Sequence, residues 1–407
     1  MRLRAPISHS LPEPGFPEGR TRVTVDLDQF VRNVRKVADS LQPNEGLLPV
    51  IKANAYGHGL LPIMKTISSL GIDRVAVMGA DEALSLRRGG FSGTIVLLGG
   101  FSGTELSLCF QERLTPVLHH SDQLHLLNRD SPSDKSLDLH LKIDSGMGRL
   151  GFLPEDIPEI LDLLTRIPRA RITGIMTHFP LSEDRKDTEG CLDLFRNTVL
   201  PALSHPSLTN LSVIHMANSG AVMQGLTSFP VRHPSGRQLT FWARPGLMLY
   251  GHLPLAEHPD WSDIAPIFKV EARLLSVRRI PKGHSVSYGR MEVLSRDSCV
   301  GILGMGYADG LSRGLSGRGW GVVDGRKAPF AGRVCMDMVA VDLTDLPREP
   351  KVGDWVGIID PKDPGSMTVD QMARWTGTIP YEVLCLLGHR SDRRFAGDAA
   401  RSLQDAE

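Results

Sequence analysis

The sequence predicts an α/β protein: a (β/α)8 TIM-like barrel followed by a mostly-β C-terminal domain. Three observations predict it. Short apolar runs alternate with longer amphipathic segments eight times between residue 47 and about 251, which suits a barrel of ~250 residues. After about residue 255 the texture becomes strand-like runs broken by turn signals such as Asp324-Gly325. The 407 residues are enough for two domains and a large core. A doubly wound open sheet competes with the barrel on periodicity alone. The barrel makes one further demand, that reactive side chains gather at the C-terminal ends of its strands.

The elements follow in chain order. Residues 22–27 read as an extra strand ahead of the barrel, expected to pair with the β domain. Barrel strands are expected at 47–52, 74–78, 94–98, 114–119, 139–144, 172–178, 211–217 and 247–251. Intervening segments such as Glu82-Ala-Leu-Ser-Leu-Arg-Arg88 and 155–164 read as helices. Lys52, Lys142, His178, Asn218 and Ser219 all fall at expected strand ends, as the barrel demands. Further strands are expected at 270–277, 299–303, 321–323, 333–343 and 355–359, closed by a helical segment around 368–376. The resulting division is a flexible extension at 1–20, the barrel at 21–255, the mostly-β domain at 256–395 and a flexible polar tail at 396–407.

Composition excludes several classes. Basic and acidic residues balance at 46 each, without long single-sign blocks, so neither a nucleic-acid stripe nor a polybasic membrane anchor is expected. The five cysteines (Cys109, Cys191, Cys299, Cys335, Cys385) are scattered and form no CxxC pair. Reduced thiols are expected, with no disulfide framework and no metal site. Without an apolar signal-peptide core or a run of about 18 apolar residues, the expectation is a cytoplasmic protein.

The chemistry begins at Val50-Ile-Lys-Ala-Asn-Ala-Tyr-Gly-His-Gly59. Leu47-Leu-Pro-Val-Ile51 has the length and apolar content of a strand buried on both faces, and Lys52 emerges where it ends. Desolvation lowers a lysine from its ordinary pKa of about 10.4, and the neutral amine is the form that makes a Schiff base. A snorkelling strand-end lysine would look the same in isolation. The whole string, however, resembles the pyridoxal 5'-phosphate lysine motif of the alanine racemases, which are fold-type III enzymes. The resemblance implies that Lys52 carries the cofactor and acts as one catalytic base, and that Tyr56 holds the phosphate.

The resemblance extends from about residue 21 to 390. Leu141-Lys-Ile-Asp-Ser-Gly-Met-Gly-Arg-Leu-Gly151 is similar to the family's strand bearing an active-site lysine and arginine. It implies that Lys142 is a supporting residue, carboxylated in many members, that orients Arg149 toward the substrate carboxylate. A carbamate would convert a buried cation into an anion able to pair with a guanidinium; Asp144 is the alternative partner for Arg149. His215-Met-Ala-Asn-Ser219 and Ala243-Arg-Pro-Gly-Leu247 resemble two further segments. By resemblance Ser219 and the amides of Gly246 and Leu247 bind phosphate, His215 holds Arg244, and Arg244 faces the ring nitrogen. Arginine can only donate there, so the ring nitrogen stays largely neutral, which favours return of the proton to Cα over transamination. His178, in Met176-Thr-His-Phe179, resembles the histidine lying against the cofactor ring.

The β domain supplies the rest of the resemblance. Ser285-Val-Ser-Tyr-Gly289 implies that Tyr288 is the second base, since racemisation needs a proton to leave one face of Cα and arrive on the other. Gly306-Tyr-Ala-Asp-Gly310 places Tyr307 at the substrate entrance. Gly332-Arg-Val-Cys-Met-Asp337 gives the Met336 amide to the substrate carboxylate, with Asp337 supporting, and Ile379-Pro-Tyr-Glu382 brings Tyr381 near the phosphate. In the family Tyr288 and Met336 serve the neighbouring subunit, which implies a homodimer with shared sites. Pro180 and the Met216 and Gly220 neighbourhoods depart from the usual alanine-rich strings and bear on the shape of the entrance. The implied activity is interconversion of L- and D-alanine, supplying peptidoglycan. The alternatives are a racemase of broader scope, because one methylene is worth only about 1–3 kcal/mol of discrimination, a fold-related lyase or decarboxylase, and a non-catalytic pyridoxal-phosphate carrier.

Overall fold

A computed structural model describes residues 19–132, 135–255 and 258–404, which fall into two compact units. One comprises Asp28–Pro266 together with the last residues, and the other joins the N-terminal strand to Ile267–Ala400. Among the described residues no helix is long and apolar enough to cross a membrane.

The first strand, β1 (Thr21–Asp26), belongs to the second unit. The first unit holds β2 (Glu45–Leu47), β3 (Arg74–Val77), β4 (Thr94–Leu97), β5 (Thr115–Leu118), β6 (Leu137–Lys142), β7 (Ala170–Met176), β8 (Val213–His215) and β9 (Thr240–Ala243). All pair in parallel, in the order β2-β9-β8-β7-β6-β5-β4-β3. The ring closes through Val50, which bridges Ala76 in parallel, with Ile51 N–H donating to the Ala76 carbonyl at 2.9 Å. Strands this short and buried are mostly Val, Ile and Leu because helices cover their outer faces. Those helices include Ala80–Arg88 and Ile157–Thr165, both present where the sequence places them.

Two barrel expectations need correction. The apolar run at 247–251 is not the eighth strand. Leu247–Tyr250 is a fully buried 3-10 turn ending at Gly251 in the left-handed region (φ 92°), and the eighth strand is β9. The first strand also stops short of Lys52, which opens a helical turn instead.

In the second unit, β10 (Phe268–Ile280) pairs antiparallel with β1 along one part of its length. From Leu274 onward it pairs antiparallel with β13 (Ser298–Leu303), with a bulge between Leu274 and Ser276. The small β11 (Ser285–Val286) and β12 (Glu292–Val293) form a hairpin between them. The sheet is completed by β14 (Trp320–Val323), β15 (Arg326–Pro329), β16 (Val339–Asp342), β17 (Trp355–Ile359) and β18 (Asp392–Ala396), in the order β15-β14-β17-β10-β1-β18, with β13 and β16 branching from β10. The helix Val369–Thr376 is capped by Thr368 and Gln371 in a reciprocal box. Only the last part of the expected strand at 333–343 is strand. The preceding residues form turns, and this is what presents Met336. The expected flexible tail is also corrected, since β18 runs through Ala396 and Asp398–Gln404 is a short helix. Residues 1–18 of the expected extension, and 405–407, lie outside the described residues.

Candidate active site

In the barrel unit the candidate residues start at Lys52. Ala53, Asn54, Ala55 and Tyr56 have φ of 54°, 54°, 54° and 53°. Ala55 N–H donates to the Ile51 carbonyl at 2.9 Å and Gly57 N–H to that of Ala53 at 3.0 Å, so the segment is one turn of left-handed helix. Each L-residue in that conformation costs roughly 1–2 kcal/mol, and such strain persists only where the surroundings hold it. Lys52 is half-buried at the start of this turn, and Tyr56 is buried with its ring 5.0 Å from that of Tyr250.

Tyr56, Ser219, Gly246 and Leu247 form one corner. Ser219 opens the short helix Ser219–Met223, which Asn218 caps by accepting from Ala221 N–H at 3.1 Å. Its Oγ lies 3.3 Å from the Gly246 amide and 3.5 Å from that of Met248. A Cβ on Gly246 would stand 2.4 Å from the Tyr56 hydroxyl, so only glycine leaves this space open. The Leu247 N–H has no acceptor among the described residues. Two hydroxyls and converging amides are donors suited to a phosphate.

Arg244 is the centre of the site. It follows β9, is only 4% exposed, and is surrounded by acceptors. Its Nη2 donates to the carbonyls of Thr177 (2.7 Å) and Met216 (3.2 Å) and lies 3.2 Å from His178 Nδ1. Its Nη1 lies 3.1 Å from His215 Nδ1. Burial pushes the guanidinium down to about 9, which still leaves it protonated at neutral pH. A guanidinium has no lone pair to offer, so both histidines must accept at Nδ1. They can, because burial, reinforced by the neighbouring cations and His140, holds His215 well below the usual range, and burial with Arg244, Arg149, Lys142 and Lys52 does the same for His178.

Lys142 ends β6, only 4% exposed. Burial, then Arg244 and Arg149, push its amine down to about 8, against the opposing pull of Asp144. Asp144 does not pair with the Arg149 guanidinium among the described residues. Its carboxylate accepts the backbone N–H of Gly146 at 2.9 Å and of Arg149 at 3.2 Å. Burial would raise that carboxyl, but these bonds and those from Gly148 and Met147 hold it below the usual range. The Arg149 side chain is exposed.

Tyr288, Tyr307, Met336, Asp337 and Tyr381 lie in the β unit. Three turns there fasten to one another around 333–336. Ser287, beside Tyr288, donates its hydroxyl to the Arg333 carbonyl at 2.7 Å. The amides of Tyr307 and Ala308 donate to the carbonyls of Cys335 and Met336, each at 3.0 Å. Arg390 ties the set together, donating to Asp309 at 3.0 Å and to Asp337 at 2.6 Å. Tyr288 and Met336 are nevertheless 73% and 55% exposed, and the Met336 N–H has no acceptor among the described residues. Tyr381 sits in the first turn of the helix Pro380–Leu386.

Sequence reasoning missed His140. It is buried on β6 opposite Gly174, where any Cβ would come within 2.4 Å of its ring, and its Nδ1 lies 2.8 Å from His215 Nε2. The available signal was its place two residues before Lys142, hence on the same face of the strand. The donor set fits pyridoxal phosphate: hydroxyls and amides for the phosphate, a protonated arginine for the ring nitrogen, and a half-buried lysine opening the left-handed turn.

Comparison with known proteins agrees with this geometry. Residues 25–254 match the family model described as alanine racemase, N-terminal domain, and residues 267–395 match alanine racemase, C-terminal domain. The alanine racemase of Nitratidesulfovibrio vulgaris (strain Miyazaki F) is 39% identical over 349 residues, covering 84% of this chain and 90% of that protein. The biosynthetic alanine racemase of Pseudomonas aeruginosa superposes with a TM-score of 0.78 at 34% identity, over 93% of this chain and 99% of its own. The Bartonella henselae enzyme, solved with covalently bound pyridoxal phosphate, also gives 0.78, at 29% identity over 93% and 100% of the two chains. With both halves of the chain matched in order and a relative 39% identical over 84% of its length, the chain belongs to the alanine racemase family.

Proposed function

We propose that this chain interconverts L- and D-alanine with pyridoxal phosphate held by Lys52, providing D-alanine for peptidoglycan. When bound, the cofactor withdraws electron density from Cα and makes the α-proton acidic. The protein's own groups do the rest. The Lys52 amine takes or returns the proton on one face of Cα, and the Tyr288 phenol oxygen serves the other. Tyr56, Ser219 and the amides of Gly246 and Leu247 bind phosphate, with Tyr381 nearby, and His178 lies against the ring. Arg149, oriented by a carboxylated Lys142, and the Met336 amide bind the substrate carboxylate. Tyr307 lines the entrance, and Asp337 keeps the Met336 turn in place.

The observation that carries this reading is Arg244. Its partners are two neutral histidines and two carbonyls, so the group aimed at the ring nitrogen is a cationic donor held by acceptors. With the cofactor bound, such a donor would leave the ring nitrogen without a proton of its own, which would favour return of the proton to Cα. The exposure of Tyr288 and Met336 supports a homodimer in which these residues of one protomer serve the barrel of its partner.

The test is α-proton exchange in D₂O with holoenzyme and L-alanine, resolving both enantiomers. The expected result is deuterated D-alanine, lost in Tyr288→Phe and in Lys52→Ala. Exchange without inversion would sink the two-base reading, and faster turnover of serine would replace alanine as substrate.

A further inference from the structure

The left-handed turn after Lys52 raises the question of what holds it. Neither Ala53 nor Ala55 has a side chain that favours positive φ, and Tyr56 favours it less still. Asn54 has its own local device, with Oδ1 accepting from Leu60 N–H at 2.8 Å. The other support comes from a different βα loop. The Asn54 amide donates to Glu82 Oε1 at 3.2 Å, and the second oxygen of the same carboxylate accepts the Met78 amide at 3.0 Å.

Glu82 stands third in the helix Ala80–Arg88, the position from which a glutamate ordinarily folds back on the residue capping its own helix. Here it reaches one residue further back, to Met78, which directly follows β3. Two residues earlier, Ala76 bridges Val50 at the barrel seam. One half-buried carboxylate therefore joins the end of β3 to the amide two residues beyond Lys52.

We propose that Glu82 is the positioning residue of Lys52, a clamp that keeps the chain left-handed immediately after the lysine and so fixes where its amine stands. The proposal rests on the reading that Lys52 carries the cofactor. Without the clamp the turn relaxes toward ordinary φ, and the lysine loses its fixed approach to the cofactor while the barrel strands remain intact. Glycine at residue 53 removes the side-chain strain at one of the four left-handed positions, so it should substitute for part of the clamp.

The test compares full-length wild type, Glu82→Gln, Glu82→Ala, Ala53→Gly and the double variant Glu82→Ala/Ala53→Gly. In apo-protein, amide hydrogen exchange across 53–59 should rise about tenfold in Glu82→Ala, with β6–β8 unchanged. The dissociation constant for pyridoxal phosphate should rise by about tenfold as well, and the double variant should recover a measurable part of both losses. Glu82→Gln, which keeps an acceptor oxygen, should fall between; should Glu82→Ala not fold, Glu82→Gln with and without Ala53→Gly gives the same comparison. Unchanged exchange across 53–59, or failure of Ala53→Gly to restore either quantity, overturns the clamp. Borohydride reduction tests the underlying reading separately: if Lys52→Ala retains cofactor through denaturation as wild type does, the cofactor lysine is elsewhere, whatever the exchange result for Glu82.

Discussion

His215 Nε2 lies 2.8 Å from His140 Nδ1, and that contact completes a one-way chain of donors. Arg244 donates to His215 Nδ1, so His215 carries its proton on Nε2, and His140 must accept it at Nδ1. Burial holds His140 down to about 3, which keeps its ring neutral and able to accept. The expected ¹⁵N spectrum therefore shows His215 and His140 both protonated at Nε2 alone, with no titration between pH 5 and 8. His140→Asn, which keeps an acceptor near the Nδ1 position, should preserve the tautomer and the activity. His140→Leu should lose both and cost about 1–3 kcal/mol in denaturant melts, because a buried N–H is left unpaired.

Arg244→Lys keeps the charge and discards the fork. One ammonium cannot reach both histidines and the carbonyls of Thr177 and Met216. Racemisation should fall by about a hundredfold or more, and the absorbance spectrum of the bound cofactor should shift. Full activity in this variant would show that charge alone suffices.

Gly246→Ala places a methyl group 2.4 Å from Tyr56 Oη. Either the hydroxyl or the backbone must retreat, so cofactor affinity should drop at least about tenfold, read by equilibrium dialysis, while the apo-protein stays folded.

Lys142 has a pH signature that depends on its chemical state. As a free amine, pushed down to about 8, it is harder to protonate folded than unfolded. It therefore penalises the fold below pH 8, and stability should rise between about pH 8 and 10.5 as the penalty disappears. A carbamate has no such titration. Incubation with ¹³C-bicarbonate should give a carbamate resonance absent from Lys142→Ala and should flatten that rise.

The proposed sharing of sites between protomers makes a quantitative prediction. Lys52→Ala and Tyr288→Phe are each expected to be inactive alone. Subunits exchanged between them should form heterodimers in which one of two sites keeps both bases, restoring about a quarter of wild-type specific activity. No recovery after verified exchange would place both bases on one chain.

The legible part of this molecule was the part that repeats or carries a motif. Seven of the expected barrel runs coincide with strands or lead into them, because buried parallel strands read as short apolar runs. The eighth misled for the same reason: Leu247–Tyr250 is as apolar as a strand but turns as a buried 3-10 segment, while β9, Thr-Phe-Trp-Ala after a polar stretch, offers little pattern. The left-handed turn had no signal beyond Asn54 and the glycines, since alanine ordinarily marks right-handed helix. Lys52, Lys142 and Arg244 were found through their strings, whereas His140 and Glu82 act through contacts between separate loops and strands, which no local window contains.

β1 pairs with β10 on one side and with β18 on the other, Val23 standing opposite Arg393 in parallel register. β1, the first strand among the described residues, thus waits during synthesis for a strand about 370 residues later in the sequence. Through most of synthesis it is an edge with open hydrogen-bonding groups on both sides, while the barrel that follows it can already fold. A chain cut short before Asp392 would keep its barrel cofactor donors and lose the strand that closes its β unit. The β unit is therefore complete only when β18 is in place, because β1 lies paired on both edges between strands far apart in the sequence.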